Sequence, residues 1–146
     1  MTDSTIPAVY TAIATSTGDG RAGGHAATSD GLLAVDLAIP REMGGPGGAT
    51  NPEQLFAAGW STCFHSAIKA VAAARKVAVS DSAVVAEISV HATGEGGFTL
   101  SAALHVELGG VDQATADQLV EAAHAVCPYS NATRGNIPVT VDATVA

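Results

Sequence analysis

Two alternating runs on either side of one glycine-rich turn constrain this chain most. Val84, Ala86, Ile88 and Val90 alternate with Val85, Glu87, Ser89 and His91. Beyond Gly94-Glu95-Gly96-Gly97, the residues Phe98, Leu100, Ala102, Leu104, Val106 and Leu108 alternate with mostly polar partners. Successive strand side chains point to opposite faces, so a period of two gives each run one apolar face. Joined by a glycine turn, the runs predict a β-hairpin with one buried face. That face needs a cover, and the flanking sequence supplies helices.

Asn51-Pro52-Glu53-Gln54 reads as a helix start, with Asn51 as cap, Pro52 in the first helical position and Gln54 completing a capping-box pattern. The helix is expected to run toward Lys76. At 3.6 residues per turn, Phe56, Trp60, Cys63, Ala67, Ala70, Val71 and Ala74 share one stripe, with His65 and Lys69 opposite. Cys63 is thus expected to face inward. The opposite face carries little charge, which predicts that more than one chain's worth of structure covers this helix. A second helix is expected from Asp112 or Thr115 to Val126, with Leu119, Ala123, Val126 and Cys127 on its apolar side and Pro128 stopping it. Ile137, Val139, Val141, Ala143 and Val145 form a last alternating run, with Pro138 marking an edge or a strand start.

The N-terminal third reads as short strands. Val9 to Thr15 and Ala22 to Thr28 flank the turn Thr17-Gly18-Asp19-Gly20. Leu33, Val35, Leu37 and Ile39 alternate until Pro40, and Gly44 to Gly48 is a loop that neither helix nor strand tolerates. With no repeat and no linker, residues 1–146 read as one α+β domain: small, antiparallel-rich sheets packed on two helices.

Charge narrows the function. The chain carries a net charge of −8 with only six Lys and Arg. Such a surface repels phosphate backbones and anionic lipid, which argues against nucleic-acid and membrane partners. The Ala-rich segment after Phe56 meets Lys69 too early to span a bilayer. Met1 to Pro7 shows neither the basic start nor the apolar run of a leader, so a cytoplasmic location is expected.

In a reducing compartment a lasting disulfide is rare, whereas a transient catalytic one is a known exception. The two cysteines therefore read either as unrelated buried thiols or as a redox pair. If the apolar faces of the two helices meet, Cys63 and Cys127 can approach, and a disulfide then needs Cα atoms about 4.4–6.8 Å apart. A thiolate among apolar groups needs a cation beside it. Lys69 points away and Arg75 and Lys76 lie several turns off, leaving Arg21, Arg41 and Arg134 open. A zinc set of Cys63, His65, His124 and Cys127 has poor spacing for one ion. A Cys–His hydrolase needs an imidazole at the thiol, but His25, His91 and His105 read as solvent-facing and His65 faces away.

Three blocks carry a resemblance: Pro40-Arg41-Glu42-Met43-Gly44-Gly45, Thr50-Asn51-Pro52-Glu53-Gln54-Leu55-Phe56-Ala57-Ala58-Gly59 with Cys63-Phe64, and Cys127-Pro128-Tyr129-Ser130-Asn131-Ala132-Thr133-Arg134-Gly135-Asn136. With them the chain resembles, over nearly its whole length, the organic hydroperoxide resistance proteins of the osmotically inducible protein C superfamily. The resemblance implies an intertwined homodimer with active sites at the subunit interface. It implies a peroxidatic Cys63, a resolving Cys127, an active-site Arg21 and a Glu53 that orients the arginine. It further implies alkyl and fatty-acid hydroperoxides as substrates, a dithiol reductant carried by a lipoylated protein, and no metal or bound cofactor. A peroxide-sensing or binding protein of the same superfamily, without efficient turnover, is the alternative. Glu53 and Cys63 are ten residues apart, roughly 15 Å along one straight helix. Either that helix breaks between them or the partner subunit supplies Glu53, and the second option is favoured. An apolar channel lined by Phe56, Trp60 and Phe98 would suit alkyl peroxides.

Overall fold

The structure, a computed structural model, describes residues 6–146; residues 1–5, on which part of the leader reading falls, lie outside it. The residues form two compact units, the first ending at Pro52 and the second spanning Glu53–Ala146.

The first unit holds a three-stranded antiparallel sheet of β1 (Ala14–Thr17), β2 (His25–Thr28) and β3 (Ala34–Asp36), in that order. The strands are shorter than their alternation suggests. Residues 9–13 precede β1, and Gly20–Ala22 form a 3-10 turn instead of entering β2. The Gly24 N–H bonds back to the Gly20 carbonyl at 2.8 Å, and a Cβ on Gly24 would fall 2.4 Å from the Thr17 oxygen. The chain folds too tightly there to extend. After β3 the inward positions shift, because Leu33 is exposed whereas Leu37 and Ala38 are buried. Leu37 lies outside the strand, donating its N–H to the Gly24 carbonyl at 2.9 Å and forming an isolated parallel bridge to Thr50. A second 3-10 turn, Arg41–Met43, follows Pro40, and the glycine loop comes where expected.

In the second unit, α1 (Pro52–Ala74) is a single uninterrupted helix with Pro52 in its first position. It stops before Lys76 because that residue takes a left-handed φ of 56°. The Val77 N–H then reaches the Ala72 carbonyl at 2.9 Å and the Lys76 N–H the Ala73 carbonyl at 3.1 Å, a Schellman closure. The buried stripe of α1 is Trp60, Phe64, Ala67, Ile68 and Ala72. It is centred on Phe64 and Ile68, one residue round from the expected line. Ala70 and Ala74 are consequently exposed, and Cys63 lies on the flank of the stripe, only half-buried.

The hairpin is as the alternation requires. β4 (Ser80–Ala92) pairs antiparallel with β5 (Phe98–Gly109), with Val84 opposite Val106 and Ala86 opposite Leu104. α2 (Gln113–Val126) starts at Asp112, whose carboxylate accepts the Thr115 N–H at 2.8 Å. Ala116, Leu119, Val120 and Ala123 are its buried face, while Val126 is exposed and Cys127 alone turns inward at that end. Pro128 does end α2, but it also opens a further short helix, α3 (Pro128–Thr133), which the sequence reading omits. Proline suits a first helical position, so one residue serves both purposes.

β6 (Val139–Val145) begins after Pro138 and pairs in parallel with β5, from Ala102–Val139 to Leu108–Val145. A parallel neighbour requires a crossover, and α2 with α3 provides it. The fold is therefore α+β, and among the described strand pairs β5–β6 is parallel and the others antiparallel. The core of this unit joins Trp60, Phe64 and Ile68 of α1 to Leu104 and Leu108 of β5 and Leu119 of α2. No described helix is long and apolar enough to cross a membrane.

Candidate active site

Cys63 is carried three turns into α1, whose rigidity fixes its position relative to Trp60 and Phe64. Cys127 is the joint between two helices. Its N–H closes α2 on the Ala123 carbonyl at 2.9 Å, and its carbonyl accepts the Asn131 N–H of α3 at 2.9 Å. With φ −64° and ψ 124° it turns the chain and drives its own side chain into the core. The two thiols are free, and the Cys127 Sγ lies 3.8 Å from the Cys63 Sγ. Cys127 is fully buried, whereas part of Cys63 reaches the surface. Burial, and then the charge and hydrogen bond of Cys127, push the Cys63 thiol up, while the backbone N–H of Tyr129 opposes the shift. The Cys127 pair alone therefore does not make Cys63 a thiolate.

Aromatic side chains flank the pair. The Phe56 ring stacks on Trp60 with centroids 5.4 Å apart and touches Tyr129 at 5.8 Å. Phe98, expected beside them, instead opens β5 next to the hairpin turn and is 67% exposed, so it does not join this cluster. Tyr129 is a site residue that local sequence pattern does not single out. Its signal was Gly59, a glycine inside a helix, which leaves the space that the Tyr129 ring uses.

Of the arginines, Arg134 is committed to helix closure: Nη2 donates to the His124 carbonyl at 2.5 Å and Nη1 to Asn131 Oδ1 at 2.7 Å. Arg41 Nε donates to the Pro46 carbonyl at 3.3 Å. Arg21 lies on the Gly20–Ala22 turn of the first unit and Glu53 in the first turn of α1, and both are engaged in interactions. Because α1 runs unbroken, Glu53 and Cys63 stay ten residues apart on one helix.

Three histidines have partners elsewhere. His65 pairs with the Ser82 hydroxyl of β4 at 2.8 Å, His25 with Asp36 at 2.9 Å and His91 with Ser101 at 2.7 Å. His124 lies against Phe64, ring centroids 6.3 Å apart, and its Nδ1 is buried without a hydrogen-bond partner. Among the described residues no group of three or more His, Cys, Asp or Glu is placed to hold a metal ion.

Two thiols, one half-buried on α1 and one buried at the joint between α2 and α3, can exchange between dithiol and disulfide with little movement. The family model for OsmC-like proteins matches residues 45–142, a stretch that includes Glu53 and both cysteines. The chain belongs to the OsmC-like family. Within it, the chain is similar to an organic hydroperoxide resistance protein of Xanthomonas axonopodis pv. citri, at 49% identity over 140 residues, covering 91% of this chain and 93% of that one. The organic hydroperoxide resistance protein OhrB of Bacillus subtilis is 40% identical over 136 residues, covering 92% of this chain and 98% of its own. The OsmC-like fold is shared with a solved organic hydroperoxide resistance protein of Legionella pneumophila, with a TM-score of 0.91 and 52% identity over 95% of this chain and all of that one. Arg21 lies before the family-model match, but the long alignments to these relatives extend over nearly the whole chain.

Proposed function

We propose that this protein is a two-cysteine thiol peroxidase that reduces organic hydroperoxides to alcohols. The observation that carries the reading is the 3.8 Å separation of the Cys63 and Cys127 sulfurs, in a chain whose relatives are named for organic hydroperoxide resistance. The Cys63 thiolate attacks the outer peroxide oxygen, the O–O bond breaks, and the departing alkoxide takes a proton and leaves as an alcohol. Cys63 is then a sulfenic acid. The Cys127 sulfur attacks the Cys63 sulfur, its thiol proton leaves with the hydroxyl as water, and a disulfide remains. A dithiol, carried by a lipoylated protein, reduces that disulfide and is itself oxidised.

The unequal exposure of the thiols supports this division of roles, since the peroxide must reach Cys63 and only Cys63 must reach Cys127. The upward push on the Cys63 thiol is the reason a cation is needed. We assign that task to Arg21, oriented by Glu53. With α1 unbroken, Glu53 is assigned to the partner subunit of a homodimer. Val9, Tyr10, Ile13 and Leu32 of the first unit are largely exposed, an apolar surface that suits association with a second copy. Residues 1–146 act as one domain, the chemistry requires no metal or bound cofactor, and the location is cytoplasmic.

The test is a count of free thiols before and after one equivalent of an alkyl hydroperoxide, in wild type and Cys63→Ser. Loss of both thiols in wild type and of none in the variant is the expected result. Loss of Cys127 without Cys63, or no reaction, would overturn the assignment and favour sensing or binding without turnover.

A further inference from the structure

Gly59 lies one turn before Cys63 on α1, and Tyr129 lies two residues after Cys127 at the start of α3. A Cβ built on Gly59 would stand 2.9 Å from the Tyr129 hydroxyl oxygen, 3.3 Å from Cε2 and 3.4 Å from Cζ. The ring therefore rests directly on the helix backbone, in a notch that only glycine leaves. Glycine weakens a helix interior relative to alanine, so its presence here calls for a local reason. Phe56, one turn earlier, touches the same ring at 5.8 Å between centroids and seats it along the helix.

The two close contacts join the same two segments. On α1, residues 59 and 63 are held by one helical turn. On the other segment only Pro128, with its restricted φ, separates Cys127 from Tyr129. A displacement of the ring from α1 thus bears on a segment whose backbone is only one residue from Cys127. We infer that Gly59 is a positioning residue for disulfide formation: by admitting the Tyr129 ring against α1, it sets the 3.8 Å approach of Cys127 to Cys63. The inference rests on the two thiols being a redox pair, and it concerns their geometry, not the attack on peroxide.

Its test needs no peroxide. The full-length protein is equilibrated in glutathione buffers, where two protein thiols and one glutathione disulfide give the Cys63–Cys127 disulfide and two glutathione thiols. The equilibrium constant gives the effective concentration of one thiol at the other. Gly59→Ala is expected to lower it by about tenfold or more, and the double variant Gly59→Ala/Tyr129→Phe, lacking the hydroxyl oxygen that stands nearest the added methyl, to recover most of the loss. Tyr129→Ala, which leaves the helix untouched, is expected to lower it as well. A wild-type effective concentration in Gly59→Ala or in Tyr129→Ala would overturn the inference, as would a double variant no better than the single one. Failure of an alkyl hydroperoxide to oxidise wild-type Cys63 would instead sink the peroxidase reading and leave this equilibrium unchanged.

Discussion

The Cys127 thiol is buried against Cys63 with 3.8 Å between sulfurs, and it raises the pKa of the cysteine it faces. A disulfide of about 2.05 Å thus requires an approach of only about 1.8 Å, within reach of side-chain rotation. The same closeness works against ionisation of Cys63 until a cation compensates.

Replacing Cys127 separates those effects. In Cys127→Ser no second sulfur remains beside Cys63 to carry negative charge or share a hydrogen bond, the two influences of Cys127 that raise Cys63, whereas burial remains. The Cys63 pKa is expected to fall relative to wild type, measured by ultraviolet thiolate absorbance against pH. An unchanged value would mean that burial alone controls the thiol.

Two histidines are expected to move stability in opposite directions with pH. His105 on β5 lies between Glu87 of β4 at 2.6 Å and Asp142 of β6 at 2.8 Å, and hydrogen bonding first to Glu87 and then to Asp142 raises its pKa. Its stabilisation is complete below histidine's ordinary value of about 6.5 and is lost as the pH rises through the folded-state value. His124 is shifted down, by burial first and by Arg134 second. Its contribution is present above about pH 6.5 and is lost as the pH falls through its lower folded-state value. Histidine ring titrations by NMR check both directions, and denaturant midpoints of His105→Gln and His124→Gln across pH assign the effects.

The core makes a prediction independent of chemistry. Leu104 on β5 is fully buried at the centre of the hydrophobic cluster. Leu104→Ala is expected to cost about 2–5 kcal/mol of stability through lost burial and a residual cavity. Val85, 56% exposed on β4, is a control expected to change stability by less than about 0.5 kcal/mol when cut to alanine. Urea unfolding curves of the two variants test the contrast.

Local pattern determined much of this protein. The alternation from Val84 to Leu108 and its glycine turn define the hairpin, because period-two burial is a property of the strand itself. Asn51-Pro52-Glu53-Gln54 announces α1, Asp112 caps α2, and the blocks around Cys63 and Cys127 carry the family resemblance. Tertiary structure decided what depends on packing between elements. It moved the buried line of α1 from Cys63 to Phe64 and Ile68, because the helix rotates to suit the side chains of β5 and α2 facing it. It made β6 the parallel neighbour of β5, a choice made by the α2–α3 crossover and invisible in the alternation of β6 itself. It also brought the sulfurs of two cysteines 64 residues apart in sequence to 3.8 Å. Periodicity tells which way a side chain faces along its own element; only the joint packing of two elements determines what it meets.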